Sequence, residues 1–204
     1  MKKLYLVTNS DKYSEEEFLE RVEEALKGGV DIIQLREKEM SDRDILSLGK
    51  KVKKLCDAYK VPMLIDDKPH LAWALGVGVH LGADDMPIDL ARKLLGKDAI
   101  IGATAKSVEA AIDAQEKGAD YLGVGAIFET KTHVKTKITS LETLIDIKKS
   151  VDIDVYAIGG LNIDNVDILQ DSGVDGICVV RAIMDSPKVE EDSRNLKEKI
   201  ENIL

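Results

Sequence analysis

Only two cysteines occur among the 204 residues, far apart and without the spacing of a metal site. A disulfide framework and a thiolate metal centre are disfavoured, so both read as buried free thiols, Cys56 in a helical stretch and Cys178 in the apolar run GICVV. Long hydrophobic runs are missing as well. The opening MKKLYLVTN is followed at once by the charged DKYSEEEF, too short for a signal peptide or a membrane span, so a cytoplasmic protein with no membrane partner is the expectation. Positive charge is in deficit: 29 Lys and Arg against 38 Asp and Glu leave a net charge of -9, which disfavours nucleic acid as a partner. A phosphate ligand must then be met by locally placed cations. Linkers and low-complexity segments are absent too, and the chain reads as one globular domain over residues 1–204 with a full core.

What is present is a recurring pattern: a helical stretch, a Gly with an Asp shortly after, then a short apolar run. It appears in LKGGVDIIQL, LGVGVHL, LGKDAIIGA, KGADYLGVG and DSGVDGICVV. A Gly closing a helix takes the left-handed conformation that stops it, and the β-branched run that follows suits a buried parallel strand. With LYLVT, VPMLI and DVYAIG added, eight strands are expected to start near residues 3, 31, 62, 78, 98, 120, 154 and 175. Helical patterns lie between them: SEEEFLERVEEALK and SDRDILSLGKKVKKLCDAY, then 68–75, 87–95, 107–117, 140–149, 163–171 and 188–203. This alternation predicts an α/β protein of the (β/α)₈ TIM-barrel class. A doubly wound sheet is the main rival, but VTNSDKYSEEE after the first strand holds no phosphate-binding glycine loop.

In such a barrel the chemistry sits where strands end and βα loops begin. In strand two, DIIQLREKEM, alternation puts Gln34, Arg36 and Lys38 on the inner face above Ile32, with Ile33 and Leu35 facing the helices. Two unpartnered cations there would cost on the order of several kcal/mol. A strongly anionic ligand answers that cost; pairing with acidic residues of strands three and four is the alternative. Those strands end LIDDK and HLGADD, and carboxylates from Asp66, Asp67, Asp84 or Asp85 could reach one Mg²⁺, unless Asp66 or Asp67 merely caps the helix beginning near Lys68. Strand five offers the hydroxyl of Thr104, whereas Ser107 suits a cap. Gly123 and Gly125 leave either a void or room for a ligand ring. After strands seven and eight, Gly159, Gly160 and Arg181 suit a phosphate. Two anion sites therefore face each other across one barrel mouth.

Of the three histidines, His70 reads as helix surface and His80 as internal packing or hydrogen bonding. His133 lies in AIFETKTHVKTKITS, Ala126 to Ser140, a connection roughly twice the usual βα length of about 2–6 residues. Its hydroxyls and amines suit a phosphate anchor, and its length suits a lid; a solvated Lys/Thr surface is the plainer reading.

Taken together and in order, QLREK, LIDDK, HLGADDM, IIGATAKS, GADYLGVGAIFETKT, AIGGLN and GICVVRAI resemble thiamine phosphate synthase over nearly the whole chain. The resemblance implies a transferase that joins hydroxymethylpyrimidine diphosphate to a thiazole phosphate, plain or carboxylated, and releases diphosphate. It implies that Gln34, Arg36 and Lys38 hold the pyrimidine diphosphate, that Asp66 and Thr104 contact the pyrimidine, and that Asp67 and Asp85 bind Mg²⁺. Thr130, Lys131 and Thr132, with Gly160 and the backbone around Val180 and Arg181, would hold the thiazole phosphate, and His133 would take the place of a Lys that acts on the diphosphate. The sequence departs from the family pattern at Asp66 for Asn, Ala83 for Gln and His133 for Lys; Lys135 or Lys137 could replace that Lys. A thiazole tautomerase on the same barrel and a non-catalytic phosphate-ligand sensor stay open as alternatives. Homo-oligomerisation is left undecided.

Overall fold

The computed structural model describes residues 2–129 and 138–204. Eight parallel strands close into a barrel in chain order: β1 (Lys3–Val7), β2 (Ile32–Leu35), β3 (Met63–Asp66), β4 (Gly78–Leu81), β5 (Ile101–Ala105), β6 (Tyr121–Gly125), β7 (Asp154–Ile158) and β8 (Gly176–Val179). The ring shuts where β8 pairs with β1, Tyr5 opposite Cys178. This is the expected (β/α)₈ barrel. Outside it run α1 (Glu15–Lys27), α2 (Asp42–Tyr59), α3 (Pro69–Leu75), α4 (Ile88–Leu95), α5 (Val108–Glu116), α6 (Leu141–Ser150), α7 (Arg181–Met184) and α8 (Val189–Ile203).

Local chemistry sets the helix starts. Ser14 and Glu17 form a reciprocal capping box on α1, and Ser41, Ser107 and Ser140 cap α2, α5 and α6 by accepting from the amide three residues on. Three differences from the sequence expectation have physical causes. Strand five starts at Ile101 rather than near 98, because the Ile101 amide is the one tied to the Asp120 carboxylate at 2.7 Å while Ile100 stays partly exposed. The helix expected over 163–171 is only a 3₁₀ turn, Val166–Leu169. There Asn162 and Asn165 compete for the backbone: Asn165 Oδ1 accepts from Asn162 N at 2.9 Å and Asn162 Oδ1 from Asp164 N at 2.8 Å. Strand eight stops at Val179 instead of running through VVRAI, since the amides of Ile183 and Met184 both return to the carbonyl of Val180 and begin α7.

Two cores result from the strand alternation. Ile33, Leu35, Ile65, Leu81 and their like pack outward against the helices, while Tyr5, Val7, Ile32, Leu64, Tyr121, Tyr156 and Cys178 fill the barrel. The interior is tight at its base. A side chain at Gly102 would lie 1.9 Å from Tyr121 Cζ, so the tyrosine ring occupies the space that glycine leaves on the next strand. Above this floor the barrel opens into a cavity of about 660 Å³.

Candidate active site

One wall of the cavity carries Gln34, Arg36, Asp66 and Thr104, and the opposite wall carries Gly160, Val180 and Arg181. Seven of the residues expected at the site thus share one space. Lys38, Asp67 and Asp85 stand beside it, linked through Asp66. Thr130, Lys131, Thr132 and His133, and likewise Lys135 and Lys137, lie outside the described residues.

The internal pairing considered for strand two is present. Lys38 Nζ lies 2.7 Å from Asp66 Oδ2 and also bonds Asp67, and Arg36 Nε lies 3.6 Å from Asp66 Oδ2. The contact at Asp66 Oδ2 is an ion pair without hydrogen-bond alignment. Burial pulls Lys38 toward neutrality, but the two carboxylates of Asp66 and Asp67 together outweigh that and raise its pKa. For Asp66 burial wins and raises the carboxyl above its usual range, with Lys38 opposing. Asp67 is partly buried too, yet Lys38 holds it below that range. Arg36 and Lys38 keep part of their side chains in solvent beside the largely buried Asp66, so a polyanion entering the cavity can trade places with the carboxylates as their partner.

Neither Asp66 nor Asp67 caps the next helix: α3 is preceded by Lys68 and has no side-chain cap. Asp67 instead adopts the left-handed conformation, φ 60°, uncommon for a residue with a side chain. That turn brings its carboxyl within hydrogen-bonding range of Asp85, which the Gly82 amide fixes at 2.6 Å. Burial first, then the Asp67 charge, push Asp85 upward. Asp84, the other candidate, is exposed. Among the described residues no three His, Cys, Asp or Glu gather around one point. Two adjacent carboxylates of mutually unfavourable charge fit an ion such as Mg²⁺, which takes one or two carboxylates and draws the rest from water and phosphate oxygens.

At the far wall, Gly159 and Gly160 have φ of 106° and 68°. Their close approach is to the root of the long connection after β6. A side chain at Gly159 would meet Ala126 Cα at 2.5 Å, and one at Gly160 would meet Phe128 Cβ at 2.7 Å. The bonds Ile127 N to Ile158 O and Phe128 N to Gly159 O, each 3.0 Å, and Thr139 N to Ala126 O, 2.8 Å, pin both ends of that connection. Arg181 donates from Nε to Asp185 Oδ2 at 2.9 Å and keeps half its side chain exposed. Gly123 and Gly125 do line the cavity, but a side chain at Gly125 is barred by the Ile158 carbonyl 1.9 Å away and one at Gly123 would press on His80 at 3.2 Å.

The family model for thiamine monophosphate synthase matches residues 4–183. The chain belongs to this family. Thiamine-phosphate synthase 2 of Streptococcus pneumoniae is 45% identical to it over 203 residues, which is 99% of this chain and 97% of that protein. The thiamine-phosphate synthase of Clostridium acetobutylicum is 47% identical over 193 residues, 94% and 92% of the two chains. Among solved structures, thiamine phosphate pyrophosphorylase from Pyrococcus furiosus has a TM-score of 0.90 and 39% identity, covering 99% of this chain and 96% of that one.

Within this thiamine monophosphate synthase family barrel, sequence reading passed over the floor of the cavity. Tyr5, Tyr121 and Tyr156 meet there edge to face or tilted, with ring centroids 5.3–5.9 Å apart. The signal was available: these three of the five tyrosines occupy inward positions of KLYLV, YLGVG and DVYAI. His80 is the hydrogen-bonding interior residue expected, with Tyr121 and Thr104 as partners, yet it also lines the cavity. His70 is on the surface of α3, 2.9 Å from Asp42.

Proposed function

We propose that the protein is a Mg²⁺-dependent thiamine phosphate synthase, coupling hydroxymethylpyrimidine diphosphate with a thiazole phosphate, plain or carboxylated, and releasing diphosphate. One observation carries this reading: a single cavity joins a wall bearing Gln34, Arg36, Asp66 and Thr104 to one bearing Gly160, Val180 and Arg181. Two anionic groups can be held across one space, with the reacting carbon and nitrogen between them.

In this reading Arg36 grips two oxygens of the diphosphate, Lys38 acts on it as a point charge and Gln34 donates to the same substrate. Asp67 and Asp85 hold Mg²⁺, which when bound adds positive charge against the departing diphosphate. Thr104 and Asp66 orient the aminopyrimidine, whose ring electrons support the CH₂ cation left behind. Gly160, Val180, Arg181 and the loop residues Thr130, Lys131 and Thr132 hold the thiazole phosphate, and His133 acts on the diphosphate. No nucleophilic side chain is required, in keeping with burial that pushes the Cys178 thiol far above its usual range. Charged phosphates do not cross a bilayer unaided, so we place the reaction in the cytoplasm, in a chain acting as one domain over residues 1–204.

The test is a coupling assay with both substrates and Mg²⁺, following diphosphate release. Coupling supports the reading. Turnover of the thiazole phosphate alone without metal would replace it with tautomerisation, and tight binding of thiamine phosphate without turnover would replace it with sensing.

A further inference from the structure

A continuous line of hydrogen bonds crosses the barrel beneath the cavity and joins two of the polar groups that line it, Gln34 and Thr104. Gln34 Nε2 donates to Asp66 Oδ1 at 2.5 Å, and Gln34 Oε1 accepts from the Tyr5 hydroxyl at 2.6 Å. The Tyr5 and Tyr121 hydroxyls are 2.7 Å apart, Tyr121 is 2.9 Å from His80 Nδ1, and His80 Nε2 is 3.0 Å from Thr104 Oγ1. Six side chains from six different strands, β1 to β6, take part.

The direction of every bond follows from one end. The amide nitrogen of Gln34 faces Asp66, whose second oxygen lies 2.7 Å from Lys38 Nζ, and its oxygen faces Tyr5. Tyr5 has one proton and gives it to that oxygen; it must therefore accept from Tyr121. Tyr121 has then spent its proton and must accept from Nδ1–H of His80. His80 touches no carboxylate side chain: among the described residues its ring nitrogens face two hydroxyls, 2.9 and 3.0 Å away, with no counter-ion to hold a second proton, so the imidazole is neutral. In a neutral ring Nε2 is bare, and the proton of Thr104 must point at it.

We propose that Tyr5, Tyr121 and His80 are positioning residues that fix the polarity of the cavity wall, leaving Thr104 able only to accept from a ligand and Gln34 able only to donate. Ionised tyrosine would break the order, and burial raises both hydroxyls well above their usual range. The wall then selects a heteroaromatic edge that presents an N–H donor to Thr104 and a bare ring nitrogen to Gln34, as an aminopyrimidine does. The corresponding oxo-pyrimidine presents a carbonyl oxygen and a ring N–H, the reverse pattern. Discrimination of this kind, in which a mismatch leaves two buried groups unpaired, reaches orders of magnitude.

The selectivity half of this inference rests on the synthase reading, whereas the relay itself does not. Accordingly the first measurement uses no substrate: the tautomer of His80 in the full-length protein labelled with ¹⁵N-histidine, its signals assigned with His70→Gln and His133→Gln. The Nδ1–H tautomer is expected, and Tyr121→Phe, which keeps the ring and removes both bonds, should shift the ring toward the Nε2–H form. An Nε2–H tautomer in the wild-type protein, or no change in Tyr121→Phe, overturns the relay. The second measurement compares kcat/KM for the aminopyrimidine diphosphate and its oxo analogue. Tyr121→Phe should narrow that ratio at least tenfold, through KM more than kcat, and unchanged discrimination overturns the selectivity role. Tyr5→Phe cuts the same relay one bond earlier and serves if Tyr121→Phe does not fold. Absence of coupling in the wild type would count against the synthase reading and leave the tautomer result standing.

Discussion

Gln34 donates to Asp66 across neighbouring strands, Nε2 to Oδ1 at 2.5 Å, and the other oxygen of Asp66 faces Lys38. One carboxylate therefore orients a neutral amide and restrains the cations meant for a ligand. The two duties can be separated by substitution. Asp66→Asn can still turn its oxygen to Gln34 while losing the charge; Asp66→Leu loses both.

For Asp66→Leu we expect kcat/KM to fall about 100-fold, roughly 3 kcal/mol, because Gln34 and two partly buried cations lose an acceptor. Asp66→Asn should stay within about tenfold of wild type, since a neutral acceptor retains the amide order. Steady-state kinetics of coupling decide it. Equal losses in both variants would mean that the charge matters and the amide order does not.

The carboxylate pair makes a metal-specific prediction. Asp67 sits at φ 60°, where Asn is tolerated and Ala adds strain of about 1–2 kcal/mol, so Asp67→Asn tests the metal without disturbing the turn. The Mg²⁺ concentration for half-maximal activity should rise at least about tenfold, in line with loss of one of two charged ligands. Exposed Asp84→Asn should leave it unchanged. Titration of activity with Mg²⁺ after chelation, together with metal binding by calorimetry, reads both.

A second buried carboxyl lies outside the chemistry. Glu37 accepts from Ser10 Oγ at 2.7 Å through Oε2, but Oε1 is buried without a partner, and burial raises its pKa. The folded state therefore holds this proton to higher pH than the unfolded chain does. Wild-type stability falls as pH rises through the window between the two pKa values, and the whole penalty is present above it. Glu37→Gln should raise stability by roughly 1 kcal/mol at pH 7.5, about 2–4 °C in Tm, and give no gain at pH 4. Thermal melts at both pH values check it; a gain of equal size at pH 4 would refute the ionisation argument.

The barrel was legible because its signals are local. Gly-Asp-apolar punctuation repeats along the chain, and serine caps stand where α1, α2, α5 and α6 begin. The cluster of Arg36, Lys38, Asp66 and Asp67 was legible for a related reason, since strand alternation and adjacency of β2 and β3 suffice to bring them together. Gln34 was read as a ligand contact but not as one end of a relay. That relay needs Tyr5, His80 and Tyr121 to meet inside a closed ring, and their spacing of up to 116 residues leaves no trace in any local pattern. The glycines after β7 were legible only in part: AIGG announces a close approach, but only the fold shows that Ala126 and Phe128 pack against them.

Those glycines carry the remaining prediction. Gly159 and Gly173 both have positive φ, 106° and 77°, so alanine at either position meets backbone strain. They differ in surroundings: an added carbon at Gly173 finds only Lys148 Cγ at 3.9 Å, whereas at Gly159 it strikes Ala126 Cα at 2.5 Å. Gly173→Ala should cost about 1 kcal/mol, or about 2–4 °C in Tm. Gly159→Ala should cost at least about 2 kcal/mol, because the end of β7 and the root of the long connection must separate. With Gly160 proposed to hold the thiazole phosphate next to this contact, KM for the thiazole should rise in Gly159→Ala and stay at the wild-type value in Gly173→Ala. Thermal melts and thiazole kinetics on both variants read the two effects separately. Equal Tm losses would show that the contact with Ala126 relaxes freely, and the pinned root would then have no energetic meaning.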